Sequence, residues 1–227
     1  MQLDVWQAFF AKYHMLFIQG TVDTLIMTLL STLFAYALGL PLGIILSLTH
    51  KKGLTPNHLI YRVLGTLINI GRSIPFIILI VFMIPLTRMI VGTSLGVSAA
   101  IVPLTIGAAP FVARMVEQSL SEIDHHLIEA AQSFGASIFQ IVYKVYLTES
   151  LPSLIRGLSI SLISIFGFVA MAGTVGAGGI GDIAIRYGYQ RYENSVMIVS
   201  IILSVVLVQI AQSITYFVAL RIDHRKR

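Results

Sequence analysis

Five apolar runs, at about residues 24–48, 63–86, 97–116, 154–175 and 196–220, take up most of the chain. At about 1.5 Å per residue each helix of that length reaches across a hydrocarbon core of roughly 30 Å. Inside lipid every backbone N–H and C=O has to be satisfied within the segment, which limits such runs to helices. The expected fold class is therefore all-α: a polytopic membrane protein with five transmembrane helices. Composition agrees, with 56% hydrophobic residues, 11% charged residues and a mean hydropathy of +0.88, far too apolar for a soluble domain.

Residues 1–20 read differently from the spans. Trp6, Phe9, Phe10, Tyr13 and Phe17 fall at three- and four-residue steps with Asp4, Gln7, Lys12 and His14 among them, the pattern of a helix lying in the bilayer interface. The segment starts with an acid and stays polar throughout, so no cleaved leader is expected. The division is thus an interfacial helix over 1–20, a membrane domain over 21–220 and a basic tail over 221–227.

The net charge of +5 sits beside the spans in no continuous stripe, which argues against a nucleic-acid partner and for orientation in a bilayer. Lys51, Lys52, Arg62, Arg114, Lys144, Arg156 and the tail arginines and lysine gather on one side, Lys12, Arg88, Arg186 and Arg191 on the other. With five spans this puts the amino terminus outside and the carboxyl terminus in the cytoplasm. The chain has 0 cysteines, which excludes disulfides, thiolate metal sites and a cysteine nucleophile.

One long stretch, 129–152, is built for water. Asp124 is placed to cap a helix carrying Leu127, Ile128, Ala131 and Phe134 at helical spacing; Gly135 sits where a chain leaves a helix in a left-handed conformation; Ser137 and Gln140 make a capping-box signature for a second helix. Helix, glycine, helix between membrane spans is a small firm knob offered to a partner. His125-His126 reads as the solvated start of that helix, and no metal site is expected.

Within the spans, Gly39 and Gly43 flank Pro41 and favour close helix packing over a hinge. Arg72, in GRSIPF, is costly at membrane depth, about 2.5–3.5 kcal/mol on the insertion scale. It either lines a wet cavity, where it would meet a substrate carboxylate, or snorkels and binds carbonyls near the inner surface. Met171, among small residues, is either a close helix contact or a soft plug on a transport path. Gly176 to Gly181 formally matches G-x-G-x-x-G, but a membrane helix precedes it and no acid follows at the required distance, so it reads as a flexible turn opening an outer loop. The loop residues Asp182, Arg186, Tyr187, Tyr189, Arg191, Tyr192 and Glu193 belong at an interface or against an external protein.

Glu129-Ala130-Ala131, Gly135 after three intervening residues, and the aliphatic stretch ending Val145-Tyr146-Leu147 resemble the cytoplasmic EAA loop of ATP-binding-cassette importer permeases, with Thr148 standing where the family usually has proline. Arg72 to Ile78, Ile84-Pro85, Thr87-Arg88, Ile90 to Ser94, Ala99 to Glu117 and Val175 to Gly179 extend the likeness to the permease subunit of methionine importers. The resemblance implies a type I importer permease fold in a bacterial inner membrane and transport of methionine in its L and D forms. It further implies a coupling loop over 121–151 that docks on an ATPase through Leu127, Glu129, Ala130, Ala131, Phe134 and Gly135. The implied partners are a second copy of the chain, two copies of a cytoplasmic ATPase and an external substrate-binding lipoprotein. No P-loop G-x-x-x-x-G-K-[ST] occurs in the sequence, so ATP and Mg are expected on the partner and no cofactor or catalytic residue on this chain. The alternatives are an importer permease for another small amino acid or organic solute, an ion-coupled secondary transporter, and a membrane-embedded hydrolase. The last two lack, respectively, the membrane-embedded acids and the intramembrane histidine they need.

Overall fold

A computed structural model describes residues 2–222, with every side chain in that range except those of residues 2–5, 8 and 10. Asp4, Phe10 and the end of the basic tail lie outside the described set. The order is α1 (Gln2–Thr49), α2 (His58–Ser73), α3 (Phe76–Phe82), α4 (Ile84–Val91), α5 (Val97–Ser121), α6 (His125–Ser133) and α7 (Ile138–Ile141). A π-type turn (Val142–Tyr146) leads to α8 (Leu147–Glu149), α9 (Leu151–Gly173) and α10 (Gly179–Ile183), and a second (Ala184–Tyr189) leads to α11 (Asn194–Ile222). There is no strand among the described residues.

Among the described residues, four stretches are long and apolar enough to cross a membrane uninterrupted: Ala11–Thr49, Val97–Ser121, Leu151–Gly173 and Asn194–Ile222. The expected second span is a broken one, because α2 and α3 meet at 97°. Pro75 causes the break: it has no N–H to continue the ladder, and it drives the preceding Ile74 to an extended ψ of 122°. Pro75 O then accepts from Ile78 N and Leu79 N at 3.0 Å to start α3. In α5, by contrast, Pro103 and Pro110 sit inside one continuous helix.

The chain divides into two units, and each has its own packing. The first takes the described residues of Met1–Ser31 with Pro75–Leu104 and Ser164–Ile210. Here residues 1–20 differ from the expected separate helix: α1 runs through Gly20 into the first span without interruption, and the glycine serves packing, since a Cβ there would run into Ile183 and lie 3.4 Å from Gly179 C. Tyr13 and Phe17 are buried with Ile183 and Val196, so the aromatic stripe meets protein. The glycine turn also differs from a flexible one. Gly178 and Gly179 have φ of +85° and +80°, and a Cβ on Gly179 would lie 2.7 Å from Thr24 Oγ1, leaving room for no side chain. Ile180 N donates to Thr24 Oγ1 at 2.9 Å, and Gly96 N donates to Gly176 O at 2.9 Å, which ties the turn to α1 and to the residue just before α5.

The second unit takes Thr32–Ile74, Thr105–Ile163 and the described residues of Ala211–Arg227. The glycines around Pro41 do the packing the sequence favoured. A Cβ on Gly39 would lie 2.7 Å from Val112 Cγ1, and one on Gly43 would lie 2.6 Å from Ala113 O, so α1 and α5 cross at backbone distance. Tyr36 and Ser161 (3.4 Å) and Thr215 and Ser159 (2.7 Å) add hydroxyl contacts between helices.

Candidate functional site

The knob of the second unit is built by local chemistry. Asp124 accepts from His126 N at 3.0 Å and caps α6. Gly135 has φ +75°; its N–H donates to Gln132 O at 2.9 Å, and Ala136 N donates to Ala131 O at 3.1 Å, closing the helix end. Two residues on, Ser137 N donates to Gln140 Oε1 at 2.8 Å and Gln140 N to Ser137 Oγ at 3.3 Å, the reciprocal pair of a capping box. The elbow therefore has a hydrogen-bonded stop and a hydrogen-bonded start with one left-handed residue between them.

The helical stripe on α6 is split between two duties. Ile128 is buried, as is Ile141 of α7, and the two root the knob. Leu127 and Phe134 face outward, Phe134 at 92% exposure, and Phe139 (79%) joins them with Ile138 and Tyr143. An apolar cluster this exposed marks a contact surface. Phe139 and Tyr143 extend the exposed apolar face beyond the residues singled out from the sequence; their signal there is two aromatics inside a stretch otherwise built for water. Glu129 and Ala130 are exposed and Ala131 half-buried, with Glu129 carboxylate oxygens 3.6 Å from His125 Nε2 and 3.5 Å from His126 Nδ1. Thr148, in the place of the usual proline, donates its hydroxyl to Tyr143 O at 3.3 Å across the π-type turn. Tyr146 is buried in that turn, and burial pushes its phenol above the ordinary value.

Beneath the knob lies a cavity of about 620 Å³, bordered by His125, Ile128 and Tyr146 and by residues of α1, α2 and α5. Arg72 and Phe111 line it, with the Arg72 guanidinium carbon 5.9 Å from the ring centre. Arg114, which the sequence offered only as a sign of return to the aqueous phase, organises the same region. Its Nη1 bonds Glu117 Oε2 at 2.6 Å, and its Nη2 bonds Gly65 O at 3.1 Å and Asn69 Oδ1 at 3.0 Å.

Met171 belongs to the first unit, at the end of α9, and is 48% exposed between Ala170 and the buried Ala172. Its carbonyl accepts from Thr174 Oγ1 at 2.7 Å. In the loop that follows, Tyr13 donates to Glu193, Lys12 Nζ lies 3.8 Å from the same carboxylate, and Arg191 stacks 4.3 Å over Tyr187. Tyr189 and Tyr192 stay exposed, the latter at φ +58°.

Among the described residues, four unbroken candidate spans, a bent helix pair that makes a fifth and a hydrogen-bonded apolar elbow between spans have the make-up of a transport permease. Residues 39–224 match the binding-protein-dependent transport system inner membrane component family, and the chain belongs to that family of multi-pass inner-membrane proteins. It is 48% identical over 225 residues to the probable D-methionine transport system permease protein MetI of Vibrio cholerae, covering 99% of this chain and 100% of that one. With the D-methionine transport system permease protein MetI of Escherichia coli K12 it shares 52% identity over 158 residues, 70% of this chain and 73% of that one. Among solved structures, a chain of the MetNI methionine ABC transporter in inward-facing conformations superposes with a TM-score of 0.92 at 47% identity, over 93% of this chain and 98% of that one.

Proposed function

We propose that the chain is the permease subunit of an ATP-driven importer that carries methionine, in its D and L forms, into the cytoplasm. Two copies of the chain form the path, and two copies of a separate ATPase supply ATP and Mg chemistry. An external binding lipoprotein delivers the substrate. The amino terminus is outside and the carboxyl terminus and knob are inside, as the distribution of lysine and arginine supports. The observation that carries the reading is the knob itself: a hydrogen-bonded elbow at Gly135 that presents Leu127, Glu129, Ala130, Ala131 and Phe134 to a partner.

In this reading nucleotide-driven closure of the ATPases moves the two knobs together, and the permeases rock between inward- and outward-facing states. Ile128 and Ile141 transmit the motion because they are packed, while Phe134 receives it because it is not. Met171 acts as the soft plug and Arg72 as a lining residue of the path. The test is uptake of labelled methionine into vesicles holding the permease, its ATPase and internal ATP, with the binding protein outside. Accumulation that needs both ATP and the ATPase is expected. Uptake independent of the ATPase, or accumulation of a different solute in preference to methionine, would overturn the assignment.

A further inference from the structure

The 620 Å³ cavity below the knob has the size of a small-molecule site, roughly 300–1,000 Å³. Its lining carries Lys52, Arg72 and Arg114 against a single carboxylate, Glu117, so it is electropositive. The two arginines are in opposite situations. Arg114 is committed to Glu117, Gly65 O and Asn69 Oδ1. Arg72 has the Phe111 ring as its recorded partner, and no carboxylate among the described residues lies within ion-pair distance of it. A guanidinium with a free planar fork of donors beside an aromatic ring is suited to a carboxylate, which it grips with two parallel hydrogen bonds.

Depth narrows the ligand. Arg72 is in the last turn of α2, about 21 Å along the helix from His58 at 1.5 Å per residue, and the 97° break follows at once. Counted from Val63, where the apolar run begins, Arg72 lies about 14 Å in, just short of half of a hydrocarbon core of roughly 30 Å for a helix along the membrane normal, past the level of lipid phosphates and within reach of a solute in water. Phe111 and Met115, one turn apart on α5, supply an apolar wall beside the cation. We propose that this cavity is a vestibule that binds the transported amino acid by its carboxylate. Arg72 holds the carboxylate and Phe111 with Met115 takes the apolar side chain. The inference rests on the transport reading above and adds to it a site within the spans.

The chain has no cysteine, so Gln118→Cys places a single thiol on the cavity lining. In nucleotide-free complexes with the ATPase, reconstituted in vesicles, its labelling by a membrane-impermeant thiol reagent from the cytoplasmic side is followed with and without methionine. At about ten times the methionine Kd, labelling slows about tenfold. Methioninamide, which lacks the carboxylate, and inorganic phosphate do not protect; Arg72→Gln removes the protection and Arg72→Lys keeps part of it. Unchanged labelling, equal protection by methioninamide, or protection by phosphate alone would overturn the proposal. So would labelling that responds to phosphatidylglycerol replacing phosphatidylcholine but not to methionine. ATP-driven methionine uptake by vesicles of the opposite orientation, with the ATPase and ATP inside and the binding protein outside, separates the two readings: uptake without protection sinks the vestibule alone, and absence of uptake with the unsubstituted chain sinks the transport assignment.

Discussion

Thr24 accepts a hydrogen bond from the backbone N–H of Ile180 at 2.9 Å, across 156 residues of sequence, and donates its own proton to Gly20 O at 2.8 Å. One buried hydroxyl thus joins α1 to the start of α10, just after the positive-φ Gly178 and Gly179, where a first-turn N–H has no carbonyl of its own helix to donate to. Thr24→Val keeps the shape and strands the Ile180 N–H, at a cost of about 1–3 kcal/mol. A midpoint of thermal unfolding in detergent lowered by several degrees is expected, with Thr24→Ser close to the parent.

Gly135 is the second place where one residue decides a turn. A Cβ there would have open space around it, so the obstacle to substitution is the φ of +75° alone. Gly135→Val should cost about 1–2 kcal/mol at the elbow, leave membrane insertion intact and abolish co-purification of the ATPase. Gly135→Asn, which tolerates the left-handed region, should retain most of it. Undiminished co-purification with valine would remove the elbow from its assigned role.

Arg114 and Glu117 make a pair whose side chains are 21% and 15% exposed. Removing one member leaves the other charge with poor solvation, so Arg114→Met alone should destabilise by about 3 kcal/mol. The double variant Arg114→Met with Glu117→Leu removes both charges and should be milder. A double-mutant cycle on thermal unfolding checks this, and a double variant as costly as the sum of the singles would show the pair to be unimportant.

The knob was legible in the sequence because its determinants are local. Asp124, Gly135, Ser137 and Gln140 act on neighbours within a few residues, and each does what its chemistry suggested. The break at Pro75 is not legible, because hydropathy runs smoothly from Val63 to Leu86 and reports burial in lipid without direction. The packing of the glycine turn and of the amino-terminal helix is hidden for a related reason. What holds them, Thr24 against Ile180 and Tyr13 with Phe17 against Val196, lies more than 150 residues away in sequence, and no local pattern carries such a contact. Arg114 looked like a topology marker because its partners, Gly65 and Asn69, are on another helix.

In the proposed mechanism the permease is driven through the apolar face of its elbow from the inner side, and Phe134 is that face's most exposed large side chain at 92%. Because the chain has no cysteine, Phe134→Cys carries a single thiol whose sidedness is readable in oriented vesicles. A membrane-impermeant thiol reagent should label it only from the cytoplasmic side, and bound ATPase should block that labelling. Labelling from the outside, or cytoplasmic labelling at the same rate with the ATPase bound, would contradict the account.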